Sequence, residues 1–426
     1  MKHNLHVHKS INYISSILLI LVFAFASIGA TSQSQAEQRS VSQIAISNYL
    51  VAQQNADLSD EEKIKAAIDA YFTTRYEGQK LLDQQDFSPL LDDNTLDWVK
   101  KEKDKREIEL YIASMFDMKY VSYSYILDYD SIEIKNNKAT VQLRENHEVV
   151  FESIAPEVSK LADLQHTFTL HKKKGAWVIY KDEYQDELSK QLSHMTKDEI
   201  KKQIDENHQK DLDRKSSAFF KSGNKVQAMI LPNVAALVNR SYNGTAAASY
   251  ADTYWSSYNT NWYKTNPGTD CASFVSQAMY AGEGKTPPDT SGMTTASGRS
   301  YNTDWYFVFN NPKGTQNGSG SLPWIRVQEQ YDFIRGNTAK IGPYGYRVND
   351  AGTTYCDIGV GGIAQLYNVN GTNIWDHEGM VVQINDCYTM SKVLVDAHTT
   401  NRYHYPLSNW ASYNMRFIHI SGWRGN

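Results

Sequence analysis

The spacing of the hydrophobic residues changes once within residues 58–184, and this change most constrains how the chain can fold. Ser59 and Glu62 form a capping-box pattern, and the apolar residues after them recur at helical spacing. Farther on, short alternating runs flank polar turns around Asn136 and Gly175. Such runs are typical of β-hairpins. Helices followed by an antiparallel sheet predict a small α+β domain over residues 58–184.

The order of elements in residues 58–184 resembles the cone-shaped domains of the NTF2-like or cystatin-like type. The resemblance is one of architecture, and no diagnostic motif carries it. Domains of this type often bind partners or position a neighbouring enzyme, so the resemblance implies one of these roles. The alternative is a spacer with a core of its own.

The first 36 residues differ in kind from the rest. Lys2 and Lys9 precede the apolar run 17–26, and small residues continue to Ala36. A basic start, a short apolar core and a small-residue end are typical of a cleaved signal peptide. The alternative is a retained anchor, but the run is too short to span a bilayer comfortably. We therefore expect a secreted or cell-surface protein without a stable membrane span after cleavage.

Composition divides the remaining chain. Residues 37–57 are polar and predict a linker, whereas 185–223 alternate acidic and basic residues and predict a charged helical connector. From residue 224 to 426 the chain becomes rich in Tyr, Trp, Asn, Gly and Ser, which predicts a separate domain. At 426 residues the protein is too long for one compact core and fits about two domains.

Charge and motifs exclude several classes of function. The net charge of −5 is small, and no basic cluster interleaved with aromatics indicates a nucleic-acid partner. The chain has no Cys-x-x-Cys, no His-x-x-x-His and no P-loop pattern. We therefore expect neither a metal nor another cofactor from the sequence. Nothing in the sequence indicates an oligomeric state.

Cys271 is the most informative single residue. It follows a turn pattern at residues 266–269 and opens a helical pattern that ends at Gly282. A cysteine in the first turn of a helix meets the positive end of the helix dipole and free backbone amides, which favour thiolate over thiol. The other two cysteines are Cys356 and Cys387, and if they pair, Cys271 is the remaining thiol. The alternative is that Cys271 is simply a small buried residue.

Histidines beyond Cys271 supply a candidate base. His377 opens the strand pattern 377–384, and a second strand pattern leads to Asp396 and His398. A hairpin centred near residue 388 predicts that His377 falls opposite Asp396 to His398, with these two on one face. A cysteine on a helix and a histidine on a strand, with a third polar residue next to them, follow the logic of a catalytic triad.

Residues 239–410, about two-fifths of the chain, resemble the putative amidase domain family, which is related to the NlpC-like branch of papain-fold hydrolases. The resemblance rests on three blocks: Asn239-Arg240-Ser241-Tyr242 with Ala248-Ser249-Tyr250-Ala251-Asp252, then Asp270-Cys271 with Phe274-Val275-Ser276-Gln277, and finally Trp375-Asp376-His377 with Ala397-His398-Thr399-Thr400-Asn401-Arg402.

The resemblance implies a papain-like or NlpC-like α+β fold, in which the helix that bears the cysteine packs on an antiparallel sheet. It also implies a triad of Cys271, His377 and His398, with Asp396 as the alternative third residue. Asp270 and Gln277 are then neighbours that shape the substrate site. Trp305 lies in an aromatic-rich stretch that suits extended peptide or glycan-peptide substrates. Trp324 to Gly336 are predicted to form a helix within that stretch.

Two functions follow as hypotheses. The first is an exported cysteine amidase or peptidase that hydrolyses an amide bond, with peptide or peptidoglycan-type material as substrate. The second is a catalytically inactive papain-like module that binds at the cell surface.

Overall fold

The computed structural model describes residues 40–92, 96–220, 238–259, 270–285, 299–307, 320–348 and 353–425. Residues 41–426 form one compact unit. The predicted signal peptide and the turn at 266–269 lie outside the described residues, as do the first three residues of the predicted linker. None of the described helices is both long and apolar enough to cross a membrane.

The protein mixes helices with one large antiparallel sheet, so the predicted α+β class is correct at this level. Its described helices are α1 Val41–Gln54, α2 Asp60–Leu81, α3 Leu96–Met115, α4 Glu187–Gln191, α5 Lys197–Phe220, α6 Gly244–Tyr254, α7 Cys271–Gly282, α8 Leu322–Ile325 and α9 Val327–Gly336. Its described strands are β1 Tyr120–Lys135, β2 Lys138–Phe151, β3 Ser159–Lys173, β4 Ala176–Glu183, β5 Val238–Arg240, β6 Gly342–Val348, β7 Ile363–Tyr367, β8 Trp375–Ile384, β9 Val393–Ala397, β10 Asn401–Pro406 and β11 Met415–Gly425.

The described strands form a single sheet in the order β1-β2-β3-β10-β9-β8-β7-β11-β5, with β4 beside β3 and β6 beside β11. Strand β3 joins the two halves of the sheet. One of its edges pairs with β2, and the other pairs with β10 through Lys160, Leu161 and Ala162 and with β4 through residues 167–173. The division into domains at residues 58–184 and 224–426 stays a prediction.

Local sequence patterns correctly predicted the hairpins in the first half of the sheet and the start of α2. The capping box is confirmed, since the Glu62 amide donates to Ser59 Oγ at 3.2 Å and the Ser59 amide donates to the Glu62 carboxylate at 2.8 Å. Both predicted hairpin turns are confirmed, between β1 and β2 at Asn136 and between β3 and β4 at Gly175. Gly175 has a φ of 88°, a left-handed conformation that glycine adopts without a steric cost.

In the second half, α6, α7 and α9 pack against β8, and they therefore share one side of the sheet. The helix predicted from Trp324 to Gly336 is instead two helices, α8 and α9, because Arg326 between them has an extended backbone with φ −129° and ψ 131°. The predicted helix from Cys271 to Gly282 is confirmed as α7.

The predicted β8–β9 hairpin is present, but its pairing stops short of His377. Met380 pairs with Asp396, and β9 ends one residue later at Ala397. His377 therefore pairs only with Leu366 of β7 and does not lie opposite Asp396 to His398. The strand is too short for the predicted juxtaposition.

Candidate active site

Cys271 is the first residue of α7 and is partly exposed. Two backbone amides near its sulfur, those of Glu378 in β8 and of Ala272 in its own helix, lower the pKa of the thiol. The residue before it, Asp270, occupies the N-cap position but makes no side-chain capping bond. The start of α7 thus lies beside Glu378, in the part of β8 that does not pair with β9. Two backbone amides are available there to stabilise negative charge.

The structure does not favour the thiolate form that the helix position predicts for Cys271. Burial raises the pKa of the thiol to about 12, and the carboxyl groups of Glu378 and Asp270 act in the same direction. The two backbone amides oppose this shift, but their effect is smaller. At neutral pH Cys271 is therefore a thiol, and its ionisation requires a base.

His398 pairs with Asp270 next to Cys271. Its Nδ1 lies 3.0 Å from both carboxylate oxygens of Asp270, and its Nε2 lies 2.6 Å from the backbone carbonyl of Tyr254. The ring also stacks on Phe274 of α7 at a centroid distance of 4.0 Å. Both ring nitrogens therefore face oxygen acceptors. In this arrangement His398 holds the start of α7 but has no nitrogen free to accept a proton.

Glu378 is the ionisable side chain that acts most strongly on Cys271. It is fully buried, and burial raises the pKa of its carboxyl to about 8, although a hydrogen bond from Gln365 and the charge of Arg416 favour the charged form. Glu378 Oε1 has no hydrogen-bond donor. A pKa of about 8 means that the carboxyl is mostly neutral at pH 7.

The side chain of His377 points to the other face of the sheet, since successive residues of a strand alternate. Its ring packs edge-on against Trp410 at 5.4 Å, and its Nε2 lies 3.4 Å from the Glu187 carboxylate without forming a hydrogen bond. The backbones of His377 and Glu378 are adjacent, so the predicted base is one residue away from the position that faces Cys271.

Asp396, the alternative third residue, belongs to a separate cluster. It is fully buried, and its Oδ1 accepts from the backbone amide of His404 at 2.6 Å. Burial raises the pKa of the Asp396 carboxyl, as does the neighbouring Asp252. Asp396 and His398 both face α6, through Asp252 and through the Tyr254 carbonyl respectively.

A family model matches the second half of the chain. Residues 241–420 match the family model of the putative amidase domain. The matched region holds Cys271, Glu378 and His398, and the match indicates amide hydrolysis as its general activity. We call residues 241–420 the amidase region.

Other comparisons add little. No curated protein matches the chain. Among solved structures, the Kfla4162 protein from Kribbella flavida has 10% sequence identity, with 29% of this chain and 91% of that chain covered and a TM-score of 0.22. The intermembrane space region of the chloroplast protein ARC6 has 14% identity, with 30% and 97% covered and the same TM-score of 0.22. At this TM-score neither likeness carries an argument.

Two of the three residues predicted to shape or bind the substrate, Gln277 and Trp305, lie in the core of the amidase region. Gln277 is buried, and its Oε1 accepts from the Tyr250 hydroxyl at 2.7 Å. Trp305 is fully buried, and its ring lies 4.2 Å from that of Trp324 and 4.9 Å from that of Trp423. In this structure the Trp305 ring has no face open to a ligand.

A broad groove ends beside His398. Its volume is about 1320 Å³, and both halves of the chain line it, including Lys101, Lys105 and Asp163 from the first half and Tyr258 and Thr399 from the amidase region. The ring of Tyr258 lies 5.2 Å from that of His398, whereas Cys271, Glu378 and His398 themselves do not line the groove.

Cys356 and Cys387 form a disulfide, which ties the turn between β8 and β9 to the segment before β7. Cys271 is the free cysteine.

Sequence reasoning missed Glu378 because His377, immediately before it, is the more familiar base. One signal was available. Glu378 lies just before the apolar run 380–382 of the strand, and a charged residue is rarely buried in a strand without a partner or a functional reason.

Proposed function

We propose that the protein is an exported amidase in which Cys271 is the nucleophile. One observation carries the proposal: the Cys271 sulfur lies against two backbone amides, in the field of the buried Glu378 carboxyl whose Oε1 has no donor. Within a region that matches an amidase family, a partly exposed thiol beside a carboxyl of raised pKa fits nucleophilic attack on an amide.

Glu378 is the proposed general base, in place of His377. When ionised, its carboxylate removes the thiol proton as the sulfur attacks the amide carbonyl. The transfer is uphill, because burial raises the pKa of the Cys271 thiol to about 12 and that of the Glu378 carboxyl to about 8, but the repulsion between the two groups disappears once Glu378 takes the proton. The pKa of Glu378 also lies near the operating pH, where general bases are most effective.

The remaining steps conserve atoms and protons. The backbone amides of Ala272 and Glu378 stabilise the negative charge that develops beside the sulfur. Neutral Glu378 returns its proton to the departing amine as the thioester forms. Water then attacks the thioester with Glu378 as base, which releases the carboxylic acid and regenerates the thiol.

His398 is proposed as a positioning residue. Its contacts with Asp270 and Phe274 fix the start of α7, and with it the direction of the Cys271 side chain. His377 is the competing base, because its Nε2 has no hydrogen-bond partner and its backbone adjoins Glu378. That role requires the side chain to reach the opposite face of the sheet.

The finer fold assignments also belong to this proposal. A cysteine at the start of α7, packed on the antiparallel strand β8, supports a papain-like or NlpC-like domain. In the first half, α2 packs on β1 and β4, which supports an NTF2-like or cystatin-like domain. Because residues of this half line the groove beside His398, we propose that it shapes the substrate site.

The proposed substrate is a peptide, and peptidoglycan-type material is the leading class. A groove of about 1320 Å³ suits an extended chain rather than a small molecule, and its walls carry both basic and acidic side chains. Export is supported by the Cys356–Cys387 disulfide, since disulfides persist in oxidising compartments. The signal-peptide pattern of residues 1–36 points the same way.

The test is mass spectrometry of cell-wall peptide fragments after incubation with the full chain. We expect wild type to release amide-cleavage products and Cys271→Ala to release none. We expect Glu378→Gln to lose at least about 100-fold in rate, and His377→Gln to stay within a few-fold of wild type. The exposed Glu152→Gln is the matched control for a Glu-to-Gln change. If His377→Gln abolishes cleavage and Glu378→Gln does not, the base is His377.

The second candidate function, an inactive binding module, is favoured by the raised pKa of Cys271. It predicts that wild type and Cys271→Ala retain the same cell-wall fragments in a pull-down and that neither cleaves them. Cleavage that depends on Cys271 excludes it.

A further inference from the structure

Asp252, Asp396 and His404 come together where α6 meets β9 and β10. One ligand atom from each of the three lies within 4.8 Å of the others. Asp252 is far in the sequence from Asp396 and His404, which lie eight residues apart. None of the three contacts Cys271 among the hydrogen bonds and ion pairs of the described residues.

Asp396 is the unsatisfied member of the cluster. It is 0% exposed, and its Oδ2 has no hydrogen-bond donor although Oδ1 has one. The carboxyl of Asp252 faces it from α6. Two carboxyl groups at such a site are costly unless a proton or a cation lies between them.

His404 has the contacts of a metal-ligating histidine. Its Nε2 faces the cluster and lies 3.0 Å from Asp252 Oδ1, whereas its Nδ1 lies 2.7 Å from Glu157 Oε1 on the other side. Metal-bound histidines usually donate their second ring N–H to a carboxylate, which fixes the ring and raises its basicity. The ring also stacks on Tyr403 at a centroid distance of 3.9 Å, so its orientation is set before any ligand arrives.

We propose that Asp252, Asp396 and His404 bind a divalent cation, with Glu157 orienting His404. Two carboxylates and one imidazole suit Zn²⁺ or Mn²⁺, whereas Ca²⁺ and Mg²⁺ take oxygen ligands almost exclusively. The Asp252 side chain is 37% exposed, which leaves an entry path and room for a water ligand. In this role Nε2 carries no proton and binds the metal.

The ion joins elements that hold the candidate active site. Asp252 lies two residues before Tyr254, whose carbonyl accepts from His398, and Asp396 lies two residues before His398 itself. Glu157 lies just before β3 in the first half of the chain. A bound cation therefore ties α6 to β9 and β10 at the point where the two halves of the sheet meet.

The competing explanation is a metal-free ion-pair network, in which protonated His404 bridges Asp252 and Glu157 and Asp396 carries a proton. Isothermal titration calorimetry separates the two. The full chain is stripped with a chelator, dialysed and titrated with ZnCl₂ and with MnCl₂ at neutral pH, and CaCl₂ is the comparison ion.

Three histidines near the N-terminus, His3, His6 and His8, can also bind zinc. The quantity to compare is therefore the difference in zinc binding between wild type and each variant. We expect wild type to bind one ion. We expect Asp252→Asn to bind it with an affinity more than about 100-fold lower. We expect Glu157→Gln to weaken binding by about 10- to 100-fold, and Asp163→Asn, a control of similar side-chain exposure, to bind as wild type does.

Two results overturn the proposal. One is that wild type takes up no Zn²⁺ or Mn²⁺. The other is that Asp252→Asn and Glu157→Gln both bind with the stoichiometry and affinity of wild type. Thermal unfolding gives a second readout that does not depend on hydrolysis: added Zn²⁺ raises the Tm of wild type and of Asp163→Asn but not that of Asp252→Asn. Loss of zinc binding with intact Cys271-dependent cleavage is compatible with the proposed function, so the two proposals fail separately.

Discussion

The Nδ1 atom of His398 lies 3.0 Å from the carboxylate of Asp270, the residue directly before Cys271. Both side chains are almost completely buried, at 3% and 2% exposure. Removing one partner of a buried pair leaves the other uncompensated, which costs about 3–5 kcal/mol. The pair therefore contributes to the stability of the fold and also sets where α7 begins.

We predict that Asp270→Asn lowers the free energy of unfolding by about 3–5 kcal/mol, as measured by urea denaturation. The variant keeps a residue suited to the N-cap, so the loss reports the contact with His398 rather than the cap. The double variant with His398→Gln should lose less than the sum of the two single changes. Additive losses in this cycle would contradict a direct coupling between the two side chains.

The hydrolysis rate should rise with pH through the pKa of Glu378, which is about 8. A general base works only when ionised, so kcat/KM should increase about tenfold per pH unit below 7 and level off above 8. In Glu378→Gln this rise should disappear from the residual activity. A wild-type profile that is already level at pH 6 would rule out a base with this pKa.

Alkylation of Cys271 should be slow at neutral pH, because its pKa is about 12. The carboxylate of Glu378 raises that pKa, so Glu378→Gln should speed the reaction with iodoacetamide between pH 8 and 10. His377→Gln is the matched control and should not change the rate, since its side chain lies on the opposite face of the sheet. Mass spectrometry of the tryptic peptide that contains Cys271 gives the rate directly. Equal rates in all three proteins would mean that Glu378 does not act on the thiol.

Features that depend on neighbours in the sequence were predictable. The capping box at Ser59, the turn at Gly175 and the helix that begins at Cys271 each follow from residues a few positions apart. The break at Arg326 was not predicted, because the apolar spacing on both sides of it continues a helical pattern.

Features that depend on distant strands could not be predicted from local patterns. His377 and Glu378 are adjacent in β8, and side chains alternate along a strand, so the two point to opposite faces of the sheet. A prediction that is wrong by one residue therefore places the wrong side chain beside Cys271. The cluster of Asp252, Asp396 and His404 forms only when α6 packs near β9 and β10. The spacing of these residues in the sequence matches no metal-binding motif that would predict it. The pairing of β3 with β10 likewise joins segments that share no pattern.

The first half of the chain offers a test of stability that is independent of the active site. His166 is buried between Asp182, 2.9 Å from its Nδ1, and Glu145, 2.9 Å from its Nε2. Burial lowers the pKa of His166, but the two carboxylates outweigh it and raise the pKa to about 9 from 6.5. The folded protein therefore holds this proton more tightly than the unfolded chain does.

A raised pKa in the folded state means that the stabilisation is complete below pH 6.5 and is lost as the pH rises through 9. The shift corresponds to about 3 kcal/mol. We predict that the free energy of unfolding of wild type, measured in urea, falls by this order between pH 6.5 and 9.5. The double variant His166→Gln/Asp182→Asn lacks the ring and one of its two carboxylate partners, so its stability should change less over the same range. Parallel curves for the two proteins would show that His166 carries no extra proton in the folded state.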